Sequence, residues 1–157
     1  MSYLYGKRGF ASRVEVASPG DVFGWWRPEP IGKEKFHLCL SFDYDFVFLN
    51  TPTDRTSYLD PQLSADDVRF LKPTKTRFTS VGCTNLQAVA CVRRFRSFKP
   101  RRVGTLATDV LTELLGHAAA LATTTPEEAE RLSDVLKTMN ATSYIHHRPS
   151  GRPRPGR

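Results

Sequence analysis

The sequence predicts an α+β protein, mainly β: a small antiparallel barrel followed by a C-terminal helical hairpin. Short β-type runs separated by Gly- and Pro-rich turns recur through the first two thirds of the chain, a spacing that suits a small barrel better than a βαβ layout. From Leu106 onward the apolar residues switch to helical spacing. An apolar fraction of 39% and a charged fraction of 25% over 157 residues allow one domain with a real core and exclude general disorder. The expected organisation is a lead-in over 1–17, a barrel over 18–103, a helical hairpin over 104–145 and a disordered basic tail over 146–157.

Each element has a local reason. Met1 to Ser18 is weakly patterned, a flexible lead-in or an edge strand. Ser18-Pro19-Gly20-Asp21 is a turn, because Pro fixes φ and Gly accepts positive φ; it launches the aromatic strand Val22 to Trp26. Arg27 to Lys35 holds Pro28, Pro30 and Gly32 and reads as a loop. Phe36 to Ser41 alternates, Asp43-Tyr44-Asp45 is a hairpin turn, and Phe46 to Thr51 is apolar enough to be a central strand. After a second loop, Pro52 to Tyr58, Ser64 and Asp67 can cap a helical turn over Ala65 to Phe70. Phe78 to Val81 and Asn85 to Val92 read as two short strands around Gly82-Cys83-Thr84.

In the C-terminal third, Leu106, Val110, Leu111, Leu114, Leu115 and Ala118 share one helix face. Thr125-Pro126-Glu127-Glu128 supplies an N-cap Thr, Pro at the first helical position and Glu at the third. The helix that follows gathers Ala129, Leu132, Val135, Leu136 and Met139 on one face. Such a hairpin needs an apolar surface to cover, on the barrel or on a partner. From His147 on, Pro and Arg alternate and no core can form.

Charge placement narrows the function classes. The net charge is +7, but Arg93, Arg94, Arg96, Lys99, Arg101 and Arg102 fall in one acid-free stretch, and Arg148, Arg152, Arg154 and Arg157 follow in the tail. Outside these ten residues the chain is net −3, so the positive charge is concentrated as a polyanionic partner would require. Phe95 and Phe98 interleave with the cations, either as stacking rings or as apolar anchors beneath them. No apolar run approaches a membrane span and the N-terminus lacks a secretory pattern, so a cytoplasmic location is expected. Cys39, Cys83 and Cys91 are odd in number and lie in apolar or β-like runs, which predicts buried free thiols.

Familiar catalytic signatures are absent: there is no phosphate-binding Gly-rich loop, no H-E-x-x-H and no G-x-S-x-G. His37 follows the strand rhythm and His117 the helix rhythm, while His146 and His147 precede the tail; none suggests a metal site. Asp21 and Glu34 with a nearby lysine invite a metal-nuclease reading, but adjacent Glu34 and Lys35 point to opposite faces of a strand.

The order of features is more informative. A Pro19-Gly20-Asp21 turn opens a strand, a Pro/Gly loop ends in Lys33-Glu34-Lys35, and a third, apolar strand ends in Asn50-Thr51. Over roughly residues 18–95 this resembles the MazF/PemK family of toxin endoribonucleases, small barrels related to the src-homology-three (SH3) fold, with Ser80-Val81-Gly82-Cys83 as the later strand that completes the barrel. The resemblance implies metal-independent cleavage of single-stranded RNA without a cofactor, leaving a 2′,3′-cyclic phosphate. It places Lys35 and Thr51 as the catalytic pair, Arg27 and Lys33 on flanking phosphates, and an exposed tryptophan on a base. Two adjacent tryptophans on a strand face opposite ways, which leaves one in the core; Trp26 is assigned the outer position. Arg93, Arg94 and Arg96 form a further nucleic-acid contact. Family partners would be an antitoxin and a second copy in a homodimer, on a plasmid, phage or genomic island. One departure bears on chemistry: Lys35-Phe36 stands where the family has Arg-Pro, and Lys lacks the forked grip of Arg on phosphate. A non-catalytic nucleic-acid-binding barrel, or an interaction module docking through the helical hairpin, fits the same residues.

Overall fold

A turn over Ser18 to Asp21 leads into the first described strand: the Asp21 amide donates to the Ser18 carbonyl (3.0 Å) and the Asp21 carboxylate accepts from the Ser18 amide (3.0 Å). Gly20 sits at φ 98°, a left-handed conformation that glycine adopts without strain. The computed structural model describes residues 16–50, 59–71 and 78–147, of which 141–147 are described as helix backbone alone. The lead-in before Val16, Thr51, the loop over Pro52 to Tyr58 and the tail from residue 148 lie outside the described residues.

Seven strands follow: β1 Asp21–Arg27, β2 Lys33–Cys39, β3 Asp45–Asn50, β4 Gln62–Ser64, β5 Phe78–Val81, β6 Gln87–Ala88 and β7 Arg101–Thr105. They form a curled antiparallel half-barrel in the order β4-β5-β3-β2-β1-β7, with β6 pairing to β3. Among the described residues three helices accompany them: α1 Val92–Ser97, α2 Thr108–Ala120 and α3 Pro126–His147. The protein is therefore α+β, mainly β, as the sequence predicts. No helix among the described residues is long and apolar enough to cross a membrane.

Strand alternation sorts the core into two layers. Val22, Leu38, Val47, Leu49 and Val81 face α2 and α3, whose Leu111, Leu114, Leu115, Leu132 and Val135 are buried against them. The helical hairpin thus covers the sheet. Phe23, Trp25, Cys39 and Phe46 face the other way, toward Tyr44 and Phe95. From Asp21 to Trp25 both faces of β1 are covered, and only Trp26 and Arg27 at its end reach solvent. Burying each large side chain contributes roughly 1.5–3 kcal/mol.

Predicted caps form. Thr125 Oγ1 accepts from the Glu128 amide (3.2 Å) and the Glu128 carboxylate accepts from the Thr125 amide (2.9 Å). The Asp67 carboxylate accepts from the Ser64 amide (3.0 Å) and hydroxyl (3.2 Å).

The structure corrects four expectations. Arg27 and Lys33 to Lys35 are strand residues: β1 and β2 remain in register to the Arg27↔Lys33 pair, and only residues 28–32 turn the chain. Asn85 to Val92 is not one strand; Gln87–Ala88 alone pairs, and Val92 opens α1. The helix wins there because the Val92, Phe95 and Phe98 spacing delivers three apolar groups to the aromatic layer. Arg101–Thr105, read only as basic, is the edge strand beside β1. Cys39 and Cys83 are buried free thiols, but Cys91 is exposed because it precedes α1 instead of ending a strand.

Gly104 on β7 lies beneath the ring of Phe70, where an added Cβ would come within 2.2 Å of Phe70 Cγ. Gly104→Ala should therefore push that ring off β7 and destabilise the fold by about 1–3 kcal/mol in chemical denaturation. A variant as stable as the parent would show that the contact is dispensable.

Candidate nucleic-acid interface

The β1–β2 hairpin places three cations on one face. Odd-numbered residues of both strands share it, so Trp25 lies opposite Lys35 and Arg27 opposite Lys33. On β3 the same face carries Phe46, Phe48 and Asn50, and on β5 it carries Ser80 beside Asn50. The Arg27 guanidinium carbon stands 5.2 Å from the centre of the Phe48 ring and the Lys35 ammonium 5.4 Å, both within cation–π range. Lys35 Nζ also donates to Asn50 Oδ1, and Arg27 Nη2 reaches Gln87 Oε1 at 3.5 Å.

Beneath this cluster the face turns apolar. His37 is fully buried, stacked on Trp25 with ring centres 3.5 Å apart and 5.1 Å from Phe48. Among the described residues neither His37 nitrogen has a hydrogen-bond partner, nor do Trp25 Nε1 and Ser80 Oγ. Burial, then the charge of Arg27 and that of Lys35, push the His37 pKa down to about 3. The backbone of Phe23 and Lys35 opposes that shift without making a well-aimed bond to the ring. His37 is consequently neutral at pH 7 and out of reach of any solvent-borne substrate.

Of the residues expected at the site, Arg27, Lys33 and Lys35 come together. Lys35 meets Asn50 from a separate strand; Thr51, its expected partner, lies outside the described residues. Asn50 was legible as the third member of the alternating Phe46, Phe48, Asn50 series, but the hydroxyl beside it drew the assignment. Trp26 is 63% exposed, as the split between adjacent tryptophans requires. It stands opposite Glu34, however, on the sheet face away from Lys35, so it cannot stack a base held by that cluster. Glu34 is also there, bound through both oxygens to Arg101 Nη2 at 3.1 Å. Asp21 lies at the other end of β1 and on the opposite face, where it is occupied by Ser18, Thr105 and Arg102. Among the described residues no group of three His, Cys, Asp or Glu side chains is placed to hold a metal ion.

Arg93, Arg94 and Arg96 are exposed on α1. Phe95 is fully buried and cannot stack a base; Phe98 is half-buried against Trp25, with Arg94 above it. The aromatic rings of this segment thus anchor the helix while the cations turn outward.

Comparison with protein-family models, with curated proteins and with solved structures finds no match.

Proposed function

We propose that the β1–β2–β3 face binds the phosphate backbone of single-stranded RNA through Arg27, Lys33 and Lys35. The direct Arg27↔Lys33 pairing supports this most strongly. Like charges opposite one another across an antiparallel pair destabilise a sheet, and the cost is offset when an anion lies between them. Packing against Phe48 fixes Arg27 and Lys35 in place, so less side-chain entropy is lost when phosphate binds. Contacts of this kind hold the backbone without reading sequence.

The Lys35–Asn50 contact favours a second reading, metal-independent cleavage of the kind that MazF/PemK-like toxins perform. The ribose 2′-oxygen would bond to phosphorus as its proton leaves to a base, and the bond to the 5′ oxygen would break as that oxygen gains a proton. Lys35 would stabilise charge on the phosphoryl oxygens, with Asn50 holding its ammonium in position. The buried, neutral His37 is not the base.

Binding is tested by the anisotropy of a labelled oligouridylate over a salt series. The affinity should fall steeply with salt, and Arg27→Gln with Lys35→Gln should flatten the log–log slope by about 1.4, from about 0.7 per single-strand phosphate contact. A parent slope near zero, or the same slope in the double variant, would reject this site. RNA incubated in EDTA distinguishes the two readings: a 2′,3′-cyclic phosphate product lost in Lys35→Gln supports cleavage, whereas binding without product leaves a binding protein.

A further inference from the structure

We infer that α1 continues the β1–β2–β3 site, so that one single strand of RNA runs from Arg94 to Lys35 along a track longer than either cation cluster. The inference rests on the binding reading above and adds the length and path of the ligand. In sequence the two clusters are separated by some sixty residues, and only the folded sheet joins them; Arg27 already reaches across to Gln87 with sixty positions between them.

The connection is a continuous series of ring contacts. Arg94 lies 5.1 Å from the centre of Phe98, and Phe98 stacks on Trp25 at 5.1 Å. Trp25 stacks on His37 at 3.5 Å, His37 meets Phe48 at 5.1 Å, and Phe48 carries Arg27 and Lys35. Trp25 and His37 are buried, while Phe98 and Phe48 are half-buried at the two ends. The series therefore links the two cation groups through a rigid buried layer, with a cation seated on each end ring. Arg93 and Arg96 flank Arg94 on the exposed side of α1.

Both end rings are engaged by their own cations, so the track is suited to grip phosphates at two points rather than to stack successive bases. Its length matches a strand of on the order of four to eight nucleotides, within the range of single-strand sites on small β folds.

The test is affinity as a function of RNA length, with oligouridylates from about two to about twelve nucleotides. The parent should gain affinity until both ends are engaged and then level off. The triple variant Arg93→Gln, Arg94→Gln, Arg96→Gln should level off several nucleotides earlier, and its salt slope on the longest RNA should be lower by about two. These three side chains are exposed, and near-ultraviolet circular dichroism checks that the Trp25 layer is intact. If the variant's curve levels off where the parent's does, the track is overturned while RNA binding stands. If the parent binds no RNA of any length, the underlying reading fails with it.

Discussion

Arg131→Ala should destabilise the protein by about 3 kcal/mol, lowering the midpoint of thermal unfolding by roughly 6–12 °C. Arg131 projects from α3 to Asp45, the first residue of β3, with Nε to Oδ2 and Nη2 to Oδ1 both at 2.8 Å. Asp45 is completely buried, and its second partner is the Ser41 hydroxyl at 2.6 Å. Removing the arginine leaves a buried carboxylate with one neutral donor, and the fold must tolerate that charge or take up a proton. The figure is set at the low end of the range for broken buried pairs because Arg131 is 30% exposed, so water reaches part of the pair. The hydrogen bonds to Asp45, and then its charge, hold the guanidinium above its ordinary pKa against partial burial. Replacing both partners by neutral isosteres, Asp45→Asn with Arg131→Gln, should restore most of the loss. A loss below about 1 kcal/mol in the single variant would mean that α3 is held by its apolar face alone.

Stability should also fall as the medium is acidified from pH 6.5, with His37 as the cause. The folded protein holds this imidazole neutral down to about pH 3, whereas the unfolded chain protonates it near its ordinary value of 6.5. Below that value the unfolded state binds the extra proton, so stability is full above about pH 6.5 and declines as pH falls toward 3. At pH 5 the expected loss is about 2 kcal/mol, from about 1.36 kcal/mol per pH unit. Urea titrations at pH 7, 6 and 5 give the slope, and His37→Phe should remove it whatever that variant's absolute stability. An equal slope in both proteins would transfer the effect to another group.

How much of this was legible in the sequence depends on the kind of information each feature needs. The Asp21 turn, the apolar β3 run, the Ser64 cap and the Thr125 capping box were readable because each is a contact among residues a few positions apart. The buried faces of α2 and α3 were readable from their period. The segment from Val92 to Ser97 was misread because its apolar residues are few and its cations dominate composition, although the three-residue spacing of Val92, Phe95 and Phe98 carried the signal. Asn50 was passed over for a similar reason, since an expected hydroxyl at Thr51 outweighed the plain alternation along β3.

The sequence by itself determined the class of the fold, the turns and caps that bound many of its elements, the sides that α2 and α3 bury, and the concentration of positive charge. These follow from backbone sterics, local hydrogen bonding and period, which act over one or two turns of chain. Only the tertiary structure decided that Arg27 would face Lys33, that Trp26 would stand on the opposite face from Lys35, that α3 would ion-pair with β3, and that Arg94 and Lys35 would be linked through one layer of rings. Those outcomes depend on strand register and on which layer covers which face. A shift of one residue in register would exchange every side chain between the two layers, and only the competition between whole packed arrangements selects among them.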